Sequence, residues 1–163
     1  MRLFVAIELS DEMKKASVEV MHALKQSGVK GNYTPIRNLH VTLCFIGEVD
    51  DRKPVENALA TVKFKPFKLA FSELGSFGEL LHIGIRGGQG INNLASDIRK
   101  AFDAAGIEYD KKKFVPHMTL VRKAAGRPVK VQVPDVHMMV KRVSLMKSER
   151  VDGKMVYTEM FHI

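Results

Sequence analysis

NLHVTLCF at residues 38–45 and VPHMTLVR at residues 115–122 contain the same word, His-x-Thr-Leu, with the histidines at positions 40 and 117. Both stretches are rich in β-branched and apolar residues and read as strands. Residues i and i+2 of a strand share one face. His40 and Thr42 therefore point one way, and Val41, Leu43 and Phe45 point the other way into apolar packing. His117 and Thr119 pair likewise, with Met118 and Leu120 behind them. The chain holds only 6 His, 5 Thr and 13 Leu in 163 residues, so a double occurrence by chance is remote. The remaining histidines, His22, His82, His137 and His162, lack such surroundings and read as ordinary helix or strand residues.

Outward from these two strands, the pattern repeats. Residues 2–9 read as a buried strand and 11–26 as an amphipathic helix, with Ser10 as its N-cap and Asp11 and Glu12 in its first turn. Strand 39–46 follows. Residues 80–86, 91–105 and 116–122 give strand, helix and strand again, 77 positions later, which superposes His117 on His40. Between the two units lie a short helix over 54–62 and a strand over 67–77 that forms a hairpin with the strand at 80. The GGQG at 87–90 reads as a flexible turn, since it lacks the Gly-Lys-Ser/Thr ending of a phosphate loop. Beyond residue 122 a short strand is expected near 129–133. Two longer strands follow, near 136–147 and 154–162, joined at Asp152-Gly153. The reading is an α+β fold of one domain over 1–163, with two pseudo-symmetric lobes. Their sheets face each other across a groove, which would bring the two His-Thr pairs together.

The charge bears on partners. Lys and Arg exceed Asp and Glu by 8 and the isoelectric point is near 9.6, which favours polyanions, nucleic acid above all. A single cysteine, Cys44, excludes an internal disulfide and fits a reducing compartment. The N-terminal apolar run is too short for a signal peptide, and no run approaches membrane-spanning length. The expectation is a cytoplasmic monomer with no membrane contact.

Two imidazoles flanking one groove suit acid-base work near neutral pH, since one can accept a proton while the other donates. The hydroxyls of Thr42 and Thr119 can hold the oxygens of a substrate between them. Phosphoryl transfer needs positioning and charge stabilisation, which this set could supply without metal or cofactor. His-x-Thr is not metal-ligand spacing, and no Cys or carboxylate cluster lies near enough in sequence to complete a zinc shell. Cys44 falls on the His40 face by parity, so a thiol nucleophile is conceivable, but a buried cysteine is more often inert packing.

The doubled motif resembles the signature of the two-histidine phosphoesterases. Together with RLFVAIEL, LGSF and SLMKSERVDGKMVYTEM, it makes the whole chain similar to the RNA 2′,3′-cyclic phosphodiesterases, also called 2′-5′ RNA ligases. The resemblance implies a bilobal fold with antiparallel sheets lining the groove and helices outside. It implies that a 2′,3′-cyclic phosphate on an RNA end, tRNA fragments among the candidates, is opened to a 2′-phosphate. His40 matches the proton donor, His117 the proton acceptor, and Thr42 and Thr119 the phosphate-binding hydroxyls; the residues alone are too symmetric to assign donor and acceptor. Arg122 falls where the family often carries an arginine that binds phosphate. Regular parity puts it on the face opposite His117, so a bulge or twist would be needed to bring it into the groove. Lys111, Lys112 and Lys113 could guide an RNA strand or form a solvated charge run. Phe45 and Phe77 could stack a base, but both read as core. The same groove could also join or cleave 2′-5′ linkages or act on a small cyclic nucleotide. A binding module whose histidines only touch phosphate is a further reading, though Lys and Arg are the usual residues for that task.

Overall fold

Residues 2–8 form a strand whose central side chains, Leu3 to Ile7, are all buried, so both of its faces are covered. The computed structural model describes residues 1–126 and 130–163, and this strand, β1 (Arg2–Glu8), lies inside the first of two antiparallel sheets. The helix α1 (Asp11–Gln26) starts at Ser10, whose hydroxyl accepts from the Met13 amide at 3.3 Å. A cap of this kind contributes about 1 kcal/mol. Its apolar face, Met13, Ala16, Val20, Met21 and Leu24, joins the main core, and Ser17 reaches Met118 of the second sheet.

The other elements follow in order. They are β2 (Lys30–Tyr33), a 3-10 turn at Ile36–Asn38, β3 (His40–Glu48), α2 (Lys53–Ala60), β4 (Phe67–Phe77), β5 (Leu80–Arg86), α3 (Gly88–Ala105), β6 (His117–Ala125), β7 (His137–Val140), β8 (Ser144–Val151) and β9 (Lys154–His162). The sheets run β3-β1-β8-β9 and β2-β6-β5-β4-β7. Dropping β2 superposes the two orders, with β3 on β6, β1 on β5, β8 on β4 and β9 on β7. The internal duplication read from the sequence is therefore the architecture: each His-x-Thr strand lies antiparallel to the strand that opens its own unit. One apolar core runs through both lobes, and α3 packs on both β4 and β3.

Four expectations change. GGQG is no flexible turn: Gly88 to Gly90 make the first turn of α3. Glycine is needed there for close approach, since a Cβ on Gly90 would lie 2.7 Å from the Phe67 ring. The expected strand near 129–133 is absent over 130–133, and position 129 lies outside the described residues. The stretch 136–147 is two strands in different sheets, because the chain crosses between them at 141–143. β2 is a strand that sequence pattern does not predict; its KGNY sequence is polar, and it pairs with β6 as an edge strand. No helix among the described residues is long and apolar enough to cross a membrane.

Candidate active site

The fourth residue of the motif explains the site. Against β1, Ala6 faces Thr42 and Val5 faces Cys44, so Leu43 is an extra residue. Against β5, His82 faces Thr119 and Leu81 faces Val121, so Leu120 is the extra residue. Each motif leucine is thus a β-bulge, at the same place in both lobes. A bulge inserts one residue into one strand and shifts the parity of all that follow. The side chains of Leu43 and Cys44, and of Leu120 and Val121, are consecutive buried pairs, as this requires.

The shift corrects three sequence expectations. Cys44 leaves the His40 face and joins the main core, where burial raises its thiol pKa to about 12, which disqualifies it as a nucleophile. Phe45 turns from the core to the groove face, half-buried beneath the Arg2 guanidinium at 4.8 Å from the ring centroid. Arg122 turns onto the His117–Thr119 face and is exposed. Its positive charge is close enough to His40 to oppose protonation there.

Both bulges are clamped by the opposite unit. Thr34, just past β2, donates its amide to the Leu120 carbonyl (2.9 Å) and its hydroxyl to the Thr119 carbonyl (3.0 Å). In the other direction, Asp110, on the approach to β6, donates its amide to the Phe45 carbonyl at 2.8 Å. The two strands that carry the histidines are therefore held by segments from each other's unit, on rigid backbone.

Each histidine is oriented by the carbonyl two residues before it. His40 Nδ1 lies 2.7 Å from the Asn38 carbonyl, and His117 Nδ1 lies 2.7 Å from the Val115 carbonyl. A carbonyl can only accept, so each Nδ1 carries a proton, and Nε2 is the atom that gains or loses one. His40 Nε2 accepts from the Thr42 hydroxyl at 2.9 Å. Buried Asn38 is itself fixed by donating to the Met155 carbonyl of β9 at 3.0 Å. The pKa of His40 is depressed, mainly by burial, then by the charges of Arg122 and His117, against the opposing bond to Asn38.

Each ring also sits in a triangle of aromatic rings. Phe4 and Tyr157 flank His40 with centroids at 5.1 and 5.2 Å. Phe77 and His82 flank His117 at 5.0 and 5.3 Å, and stack on each other at 4.3 Å. Two further expectations change here. Phe77 is 46% exposed and belongs to the groove, not the core. His82 is no ordinary strand histidine, because it faces Thr119 across the ladder and touches His117. It is 8% exposed, its Nδ1 is buried without a partner among the described residues, and burial followed by the His117 charge depresses its pKa. Its parity in LLHIGIR was the one available signal.

Gly75 makes room for this third imidazole: a Cβ there would lie 2.7 Å from His82 Cε1. Gly75→Ala is therefore expected to push His82 against His117 and lower turnover about 10-fold, below the ~100-fold that a 1 Å misplacement can cost. Steady-state kinetics alongside a thermal melt would test this; unchanged kcat in a folded variant would refute the coupling.

Lys112 and Lys113 line a cleft with Thr42, Phe45, Phe77 and His117, whereas the Lys111 ammonium lies over Tyr109 at 5.7 Å. Among the described residues no group of three or more His, Cys, Asp or Glu is placed to hold a metal ion.

Known proteins carry the same architecture. The sequence pattern of the 2′-5′ RNA ligase superfamily matches residues 6–152, nearly the whole chain. The chain belongs to this superfamily. A relative named RNA 2′,3′-cyclic phosphodiesterase from Archaeoglobus fulgidus is 32% identical over 88% of this chain and 81% of its own length. One of the same name from Thermotoga maritima is 29% identical over 75% and 70%. Among solved structures, Escherichia coli LigT complexed with 3′-AMP superposes with a TM-score of 0.83 at 25% identity, covering 99% of this chain and 96% of that one. A protein from Thermus thermophilus gives 0.83 at 27% identity over 99% and 96%. The α+β, bilobal fold with two antiparallel sheets is thus the superfamily's own.

Proposed function

We propose that this chain opens the 2′,3′-cyclic phosphate at the 3′ end of RNA to give a 2′-phosphate and a 3′-hydroxyl. The observation that carries the reading is the matched pair of imidazoles, each with Nδ1 held by the i−2 carbonyl and Nε2 turned to the groove. The relatives' names agree with it.

In this mechanism His117 Nε2 takes a proton from water as the water oxygen attacks phosphorus. The bond from phosphorus to the 3′ oxygen breaks, and His40 Nε2 gives that oxygen a proton. Thr42 and Thr119 hold the non-bridging oxygens, and Arg122 offsets the charge that builds on them. The assignment of donor and acceptor follows the family resemblance; burial and the Arg122 charge depress the His40 pKa, so its imidazolium gives up a proton readily once formed. RNA fragments such as cleaved tRNA as substrates, and a monomer acting in the cytoplasm, belong to the same proposal.

The test is incubation in EDTA with an RNA oligonucleotide ending in a 2′,3′-cyclic phosphate, with products resolved by phosphorus NMR. Accumulation of the 2′-phosphate is expected. A 3′-phosphate product would reverse the bond assignment, and loss of activity in EDTA would demand a metal.

A further inference from the structure

The groove is built from two copies of one scaffold, yet its ends are chemically unlike. The bulge that lifts Arg122 onto the groove face in one lobe lifts Phe45 in the other, 77 residues earlier. At the His40 end, a cleft of about 640 Å³ bounded by Asn38 and Tyr157 gathers Arg37, Arg122, Arg150 and Lys154. Among the described residues no acidic residue lines it and none of these cations pairs with a carboxylate, and the Arg150 guanidinium donates to the Gly153 carbonyl at 3.3 Å. At the His117 end, the cleft walls are Phe45, Phe77 and Phe114. The Arg99 guanidinium there is already engaged, donating to the Lys112 carbonyl and lying 5.5 Å from the Tyr109 ring, and Asp110 offsets part of the lysine charge.

We infer that single-stranded RNA lies across the groove in one direction, with the strand upstream of its 3′ end running over Arg37, Arg150 and Lys154. The inference rests on the reaction proposed above. In that reaction the 3′ oxygen stays on the terminal ribose and receives the proton of His40. The ribose is therefore on the His40 side of phosphorus, with the attacking water in line on the His117 side. The rest of the RNA hangs from that ribose through its 5′ oxygen. Its phosphates leave the site at the end where the cleft gathers cations and no carboxylate, which is the composition that a polyphosphate backbone requires. Lys111, Lys112 and Lys113, the lysine run that stands out in the sequence, are at the other end or turned to Tyr109 and do not carry the strand.

The two sets of cations separate by substrate length. The measurement is kinetics on two substrates: a mononucleoside 2′,3′-cyclic phosphate and an oligonucleotide of about ten residues with the same 3′ end, within the range that one single-strand site covers. The triple charge reversal Arg37→Glu, Arg150→Glu, Lys154→Glu is expected to raise KM for the oligonucleotide at least ~10-fold. It should also flatten the salt dependence of kcat/KM by about two log units per log unit of salt, at roughly 0.7 for each lost phosphate contact. KM and kcat for the mononucleotide should stay within about twofold, which also reports an intact fold and active site. Lys112→Glu, Lys113→Glu alters the cleft that holds His117 and Thr42, so it is expected to affect both substrates alike and not the oligonucleotide selectively. If that pair raises the oligonucleotide KM selectively and the triple reversal does not, the strand runs the other way. If wild type hydrolyses neither substrate, the proposed reaction fails, and the direction with it. Activity on the mononucleotide with an unchanged oligonucleotide KM in the triple variant would overturn the direction alone.

Discussion

Replacement of His40 or His117 by alanine is expected to lower turnover of the cyclic-phosphate substrate at least ~100-fold, the low end for loss of one general acid or base. The two losses should be far from additive, because removing either partner leaves a proton transfer without its complement. Each ring is packed within an aromatic triangle, so each variant also loses contacts to Phe4 and Tyr157 or to Phe77 and His82. A thermal melt therefore accompanies the kinetics, and His40→Asn and His117→Asn keep part of the bulk without a titratable ring. Single-turnover rates measure the chemical step directly. Activity within tenfold of wild type in both folded alanine variants would remove the two-histidine mechanism, whatever the superfamily membership.

The sequence made the repeat legible because it is a matter of residue identity and order: two His-x-Thr words in strands, with matching strand-helix-strand units around them. The face on which later residues lie was not legible. Alternation predicts orientation only while the ladder is regular, and the motif's own leucine breaks it. Nothing in the types Leu43 or Leu120 distinguishes a bulged leucine from a paired one; only the register against β1 and β5 does. The error passed to the residues just beyond each bulge, to Cys44, Phe45 and Arg122 alike. β2 was hidden for a different reason. Its four residues bury little, and they form a strand because β6 offers them a ladder. His82 escaped because it reaches the site through β5, outside the motif; Phe77, a stacking candidate that reads as core, reaches it through β4.

Arg122→Met is expected to cost about 100-fold in kcat/KM, the scale of removing one donor aimed at developing charge, and also to move the pH profile. The sign follows from the electrostatics. The Arg122 cation disfavours the imidazolium of His40, so its loss raises the His40 pKa toward the ordinary histidine value. Either role needs one histidine protonated and the other neutral, so the limb that carries the His40 pKa follows from the order of the two pKa values and not from its role. One limb of the kcat/KM profile in the free enzyme should therefore shift to higher pH in Arg122→Met, while the other stays. His117 and His40 influence each other, so the limbs report macroscopic values for the pair. Arg122→Lys separates charge from geometry: it keeps the cation, so it should hold the limbs near their wild-type positions. It loses the planar fork that engages two phosphate oxygens, so it should recover only part of the rate. A profile that does not move in Arg122→Met would mean that the Arg122 charge does not reach His40.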